Sequence, residues 1–324
     1  MYNLENTTFI IPLFIESKDR YNNAKTVLGY INKHFKTNVI IHELIKDFTK
    51  LDFLDGLSNL SIRHLKEIIT DDVYHRTRQL NEMLKIVKTP VVCNYDIDVL
   101  LPIESYIISQ YLLNNSIFDV VYPYGFGKYQ YQVDKNFDRK KFNKNFNISL
   151  IEDEFLYNER SEYGHCMFFR TEKYKSIGGE NEEFISYGPE DIERYERCLR
   201  FNLKLHRIKS FVYHLEHSRT KFSNTGHNNY QNNAKLYESI LEMNKEDFFQ
   251  YYSNLDYLKK YGFDLSKIET NNDFNHKISE VIKVEDPQTN IVFNFPTPPV
   301  NRCVCGEPKD KVRYNFCPKC NKLY

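Results

Sequence analysis

The sequence predicts an α/β fold, and three observations predict it. Nearly continuous apolar runs such as TTFIIPLFI and VVCNY read as strands buried on both faces. Between them, apolar residues return at helical spacing, as in Ala24, Val27, Leu28 and Ile31. The N-terminus therefore reads strand, helix, strand, which is the opening of an α/β unit. The chain has 324 residues, enough for one large or two ordinary domains with a sizeable core.

The elements follow in order. A buried strand is expected over Thr7 to Ile15, a helix through Ala24 to Ile31, and a second strand over Val39 to Ile41. Tyr74 to Val87 reads as a helix with Leu80, Met83, Leu84 and Val87 as its apolar stripe. After Pro90, VVCNYDIDVLLP is a strand running into two acids. A helix over Glu104 to Leu113 and a strand over Phe118 to Tyr122 come next. Tyr124 to Glu159 is polar and aromatic and reads as a long loop, a place where enzymes often carry lids. Ser161 to Arg170 is a strand, and Thr171 to Ile177 a short helix stopped by Gly178-Gly179. A helix over 189–201, a strand over Leu205 to His214 and a long aromatic-rich helical stretch from Tyr230 to Tyr261 complete the body. The segment 284–300 carries four prolines and reads as an extended linker.

Composition bounds the function. Lys+Arg and Asp+Glu are both 44, so the formal net charge is +0. A generally basic nucleic-acid binder is not expected from that balance. The mean hydropathy of −0.59 suits a globular protein, and 15% aromatic residues argue against wholesale disorder. No stretch reaches the roughly 18 apolar residues of a membrane span. The N-terminal apolar run lacks a basic leader, so a chain without its own membrane anchor, kept in a cytoplasm-like compartment, is expected. Cys93, Cys166 and Cys198 are scattered, as in a reducing compartment. Cys303-x-Cys305 and Cys317-x-x-Cys320 instead form two close pairs with the spacing of a small structural Zn²⁺ site. Such a module could dock on the body of the protein or recruit a protein partner.

Three groups of residues carry chemistry. Asp96 and Asp98 stand two apart at the end of an apolar strand. In extended chain they point to one side, where paired carboxylates suit Mn²⁺ or Mg²⁺ and a substrate phosphate. In SYGPEDIE, Pro189 fits the first helical position and puts Glu190 and Asp191 in the first turn, favoured by the helix dipole. Adjacent carboxylates raise one another's pKa, which suits a general base poised nearer neutrality. In HLEHSR, His214 and His217 follow a strand and offer imidazoles to a metal.

Taken together, IIPLF, HRTRQLN, NYDIDVLLP, GHCMFF…IGGENEEFISYGPEDIE and HLEHSR resemble the GT-A-fold glycosyltransferases. The pattern is similar in particular to the β-1,4-galactosyltransferase and chondroitin-polymerase-type enzymes, over about residues 8–220. The resemblance implies a Rossmann-like mixed sheet flanked by helices, and a transferase that uses a UDP-sugar donor and a glycan or glycoprotein acceptor. It places Pro12, Leu13, Phe14, Arg76, Asp96 and Gly179 at the nucleotide sugar. It assigns Asp98, Asp96 and His217 to Mn²⁺ or Mg²⁺, with His214 taking that place under a shifted register. Tyr187 and Glu190 fall at the acceptor, and Asp191, the base, forms the catalytic pair with Glu190. Pro189 stands where the family has a second glycine, and Tyr187 where it has tryptophan. Bacterial and viral members commonly lack an anchor.

The expected organisation is a GT-A catalytic domain over 1–225, a helical extension over 226–283, the linker over 284–300 and a zinc module over 301–324. The expected reaction is metal-dependent hexosyl or N-acetylhexosaminyl transfer with inversion. A retaining GT-A transferase, or an inactive glycan- or partner-binding protein with a zinc interaction module, would share most of these residues.

Overall fold

The computed structural model describes residues 1–46, 51–69, 74–151, 156–158, 161–218, 229–266 and 268. The expected linker and the four clustered cysteines Cys303, Cys305, Cys317 and Cys320 lie outside the described residues, as does Arg219. Among the described residues no helix is long and apolar enough to cross a membrane.

A seven-stranded mixed sheet forms the centre. Its strands are β1 (Tyr2–Phe14), β2 (Phe35–Ile45), β3 (Leu60–Ile68), β4 (Val91–Tyr95), β6 (Val120–Tyr122), β9 (Cys166–Arg170) and β10 (Leu205–Arg207), in the order β10-β6-β9-β4-β1-β2-β3. Only β9 runs antiparallel to its neighbours, pairing with β4 and β6. A second sheet has the order β5-β11-β7-β8, from β5 (Val99–Leu100), β7 (Gln130–Val133), β8 (Leu156–Asn158) and β11 (Val212–Leu215). The helices are α1 (Lys18–His34), α2 (Arg76–Ile86), α3 (Ile103–Asn114), α4 (Arg139–Asn145), α5 (Thr171–Ser176), α6 (Glu190–Arg200), α7 (Tyr230–Glu242), α8 (Lys245–Ser253) and α9 (Tyr257–Tyr261).

The apolar runs become the inner strands for the expected reason. From Thr7 to Leu13 every residue of β1 is buried, because β4 and β2 cover its two edges and α2 and α3 pack against it. The strand also starts earlier than expected. A register shift between Leu4 and Thr8 lets residues 2–4 pair with 35–37. The Thr37 hydroxyl donates across that irregularity to the carbonyls of Leu4 and Thr7, at 3.0 and 3.1 Å.

Four expectations change. The segment 124–159 is not a long loop: β7, α4 and β8 form within it, and β7 and β8 supply half the strands of the second sheet. These strands are only four and three residues long, too short for a clear two-residue period. The stretch 205–214 divides, β10 going to the first sheet and β11 to the second. The strand over 161–170 is restricted to β9, and the helical stretch from Tyr230 breaks into α7, α8 and α9, with Asn244 capping α8. Leu60–Ile68 is an additional edge strand whose Arg63, Lys66 and Glu67 suit an unpaired edge.

One hydrophobic core runs through the described residues. It includes Phe9, Tyr95, Tyr106 and Phe168 at its centre, and Phe248, Tyr252 and Leu258 from the last helices. Residues 230–265 therefore pack on the same core as the sheet.

Candidate active site

β1 and β4 are adjacent and parallel, so their C-terminal ends open on one side of the sheet, where open α/β sheets bind ligands. A cleft of about 300 Å³ lies there. Pro12, Arg76, Asp96, Asp98, Tyr187, Glu190, Asp191, His214 and His217 all line it.

One wall gathers Asp98 with both imidazoles. His217 Nε2 stands 3.2 Å from Asp98 Oδ2 and His214 Nε2 3.7 Å from Oδ1, and the three ligand atoms lie within 4.8 Å of one another. The sheet explains this meeting. β5 follows Asp98 directly and pairs antiparallel with β11, which sets His214 opposite Val99, while Leu215 N donates to the Asp98 carbonyl at 2.8 Å. Burial opposes charge on Asp98, yet His214 and His217 hold its carboxyl well below the usual range. The His217 ring is fixed from behind, its Nδ1 lying 3.0 Å from the Ser218 carbonyl, so Nε2 faces the cleft. Ser218 in turn donates from N and Oγ to Asp19 in the first turn of α1, at 2.6 and 2.8 Å.

Asp96 does not join that cluster. β4 ends at Tyr95 and the chain turns, so the two-residue rule of an extended strand no longer aligns Asp96 with Asp98. Asp96 Oδ1 accepts instead from Arg76 Nη2 at 2.7 Å. Arg76 opens α2 and also reaches Asp191 Oδ1 at 3.5 Å.

The other wall is the start of α6. Pro189 is the N-cap, and Glu190 and Asp191 occupy the first turn. Burial, and next the charge of Asp191, push Glu190 up to about 8. Its Oε2 has no partner among the described residues. For Asp191 burial also opposes charge, but Arg194 and Arg76 outweigh it, and its carboxyl lies below the usual range. The adjacent acids are thus pushed apart rather than raised together, and the raised one is Glu190 rather than Asp191. The reason is the two guanidinium groups on Asp191, one of them on a distant helix.

The loop before α6 is held by α7. Asn233 Nδ2 donates to the carbonyls of Ile185 and Tyr187, at 2.8 and 3.0 Å, and Tyr187 stacks on Tyr230 with centroids 6.0 Å apart. Gly188 is required there, since a Cβ would lie 2.7 Å from the Asn233 side chain.

The remaining expected donor residues separate. Pro12 lines the cleft; Leu13 is buried in the core; Phe14 stacks on Tyr74, 6.0 Å between centroids. Gly179 does not line the cleft. It sits behind it in a left-handed turn with φ 65°, and its carbonyl accepts from Arg197 Nη1 at 2.6 Å. A Gly-Gly pair marks a turn equally well wherever the turn lies, so its distance from the cleft was not readable. Arg20, Tyr74, Gln132 and His165 also line the cleft and were missed. His165, at φ 61°, stands in the GHCMFF segment directly before a strand, where nothing in the segment sets it apart as a cleft residue.

Residues 147–218 match a family model described as the N-terminal domain of galactosyltransferase. No curated protein sequence matches the chain. Among solved structures, the chain is similar to GalNAc-T7 with UDP, GalNAc and Mn²⁺, at a TM-score of 0.52 and 11% identity, covering 79% of this chain and 54% of that one. It is also similar to S. aureus TarS in complex with UDP-GlcNAc, at a TM-score of 0.48 and 11% identity, covering 81% and 74%. The catalytic domain of Drosophila β1,4-galactosyltransferase 7 with xylobiose gives a TM-score of 0.39 at 11% identity, covering 66% and 72%. Residues 147–218 are thus similar to a galactosyltransferase domain, and the chain as a whole has the fold of the GT-A glycosyltransferases.

Proposed function

We propose that this protein is a metal-dependent, inverting glycosyltransferase that moves a hexose or N-acetylhexosamine from a UDP-sugar to a hydroxyl of a glycan or glycoprotein. One observation carries the reading: a single cleft has a carboxylate with two imidazoles on one wall and a split acid pair at a helix N-terminus on the other.

The donor set fits a divalent cation. Asp98, His214 and His217 offer one oxygen and two nitrogens within 4.8 Å of one another, a mixture suited to Mn²⁺ among other divalent ions. A divalent ion bound there would neutralise the donor diphosphate as a Lewis acid. Arg76 and Arg20 add positive charge on the same cleft, Arg76 with its orientation set by Asp96. Asp191 is ionised at neutral pH, so it can take the proton of an acceptor hydroxyl as that oxygen attacks the anomeric carbon. Glu190 is largely protonated at pH 7 and can donate a hydrogen bond to an acceptor oxygen through its buried carboxyl. The Tyr187 ring, backed by Tyr230, offers a flat apolar face to a sugar. A base on the acceptor side implies a single displacement and inverted configuration.

The test is release of UDP from UDP-galactose, UDP-N-acetylgalactosamine, UDP-N-acetylglucosamine and UDP-glucuronate, with and without Mn²⁺ and with candidate acceptors. Mn²⁺-dependent turnover of at least one donor is expected, with an inverted product. Asp191→Asn should lower transfer by roughly 10²-fold or more. Absence of Mn²⁺-dependent turnover with all four donors would overturn the reading, and a near wild-type Asp191→Asn would remove the base assignment.

A further inference from the structure

The mechanism leaves one buried charged pair without a role. Glu180 is fully buried and Arg194 is 2% exposed. Arg194 Nη1 lies 2.9 Å from both carboxylate oxygens of Glu180. Its Nη2 donates to Asp191 Oδ1 at 2.6 Å. Glu180 is itself held on every side. Its Oε1 also accepts from the Tyr174 hydroxyl and from Asn94 Nδ2, the latter at 3.2 Å. Asn81 on α2 brackets its backbone, accepting from Glu180 N at 2.8 Å and donating to its carbonyl at 2.9 Å.

A buried ion pair gives little net stability, because desolvation offsets most of the attraction. Attachment of α6 to the turn before it is already provided one turn further along. Arg197 pairs there with Glu193 at 2.8 Å and donates to the carbonyls of Ile177 and Gly179. What Arg194 adds is a link from a rigid, water-free anchor to a carboxylate on the cleft wall. Its contact falls on Oδ1 only. Oδ2 lies beside Gly164 of the cleft lining, since a Cβ built on Gly164 would stand 3.0 Å from it.

We propose that Arg194, anchored on Glu180, is a positioning residue that clamps Oδ1 of Asp191 and leaves Oδ2 aimed into the cleft as the proton-accepting oxygen. This rests on the reading of Asp191 as the base. Asp191 is faced by Arg194 and Glu190 on α6, by Arg76 at the start of α2 and by His165 ahead of β9. Arg194 is the one of these whose own orientation is fixed by a buried carboxylate. The clamp fixes one rotamer of a short side chain and keeps the base ionised.

The experiment compares the full-length protein with Glu180→Gln/Arg194→Met. This pair removes both charges together, keeps an acceptor for Tyr174 and Asn94, and leaves no lone buried charge. Arg194→Lys is the conservative companion. The first readout needs no turnover: the ¹³C carboxyl resonance of Asp191, assigned by its loss in Asp191→Asn, is titrated with pH. Loss of an adjacent guanidinium disfavours the charged form, so the titration should move upward by about 1 pH unit or more. The second readout is the pH profile of Mn²⁺-dependent UDP release from whichever of the four UDP-sugars the wild type turns over. Its acid limb should shift upward with the carboxyl, with turnover at pH 7 down roughly 10-fold or more and UDP affinity in Mn²⁺ unchanged. Arg194→Lys should recover part of both.

An unmoved Asp191 titration and acid limb, with turnover falling only as far as thermal stability falls, would overturn the clamp. A wild-type rate in Asp191→Asn would instead overturn the base reading, and the carboxyl titration would still report whether the clamp exists.

Discussion

At the scale of single residues, the cleft works by giving neighbouring acids opposite surroundings. Glu190 and Asp191 share a helix turn, yet one is buried without a cation on its free oxygen and the other is gripped by two guanidinium groups. The consequence for stability is directional. Glu190 in the folded state keeps its proton up to about 8, whereas the unfolded chain releases it near the ordinary glutamate value of 4.5. Between those values the folded state holds more protons, so stability falls as pH rises, at most by about 1.4 kcal/mol per pH unit. Glu190→Gln mimics the protonated side chain and removes that slope. Urea unfolding at pH 5, 6, 7 and 8 should therefore show the variant gaining on the wild type as pH rises. Parallel curves would mean that Glu190 is not held protonated. Asp191 has the opposite sign: its lowered pKa contributes stability that is lost only as pH falls through the acid range.

At the scale of elements, the site depends on how turns are pinned behind it. The Gly178-Gly179 turn ends α5 and delivers Glu180 to Arg194, with both glycines at positive φ. A Cβ on Gly179 would lie 2.3 Å from Asn81 Oδ1 and 2.7 Å from Phe263 Cε2. Gly262, which caps α9 at φ 70°, has nothing within 4 Å of such a Cβ. The two substitutions separate backbone strain from crowding. Gly262→Ala should cost only the left-handed penalty, about 1–2 kcal/mol. Gly179→Ala should cost clearly more and also lower turnover, because Asn81 must release the Glu180 backbone to make room. Equal losses in a denaturation experiment would refute the crowding argument. Element exits matter in the same way at the metal wall. Asn23 Nδ2 on α1 donates to the carbonyls of Leu215 and Glu216, at 3.0 and 3.3 Å, which fixes how the chain leaves β11 toward His217.

At the scale of the whole molecule, the aromatic core and the cleft are one construction. Phe9 of β1 meets Tyr95 of β4 edge-on at 5.4 Å and Phe168 of β9 at 5.9 Å. Tyr95 then donates to the Val99 carbonyl at 2.6 Å, spanning the acids that enter the cleft. Phe9→Ala should cost about 3–5 kcal/mol, read from thermal or urea unfolding. It should also weaken Mn²⁺ binding, since the turn carrying Asp98 loses its backing. Several features were legible in the sequence because their causes are local. The inner strands are apolar on both faces, the acids stand at the end of one, and proline with two acids starts a helix. The sequence by itself thus determined the fold class, most inner elements and the residue types of the site. Tertiary structure alone decided their partners. It gave His214 and His217 both to Asp98, turned Asp96 to Arg76, moved Gly179 behind the cleft and built a second sheet from very short strands. It also gave Glu190 and Asp191 their opposite surroundings. These outcomes depend on contacts between residues far apart in the chain, and such contacts are fixed by packing and charge pairing that no local pattern encodes.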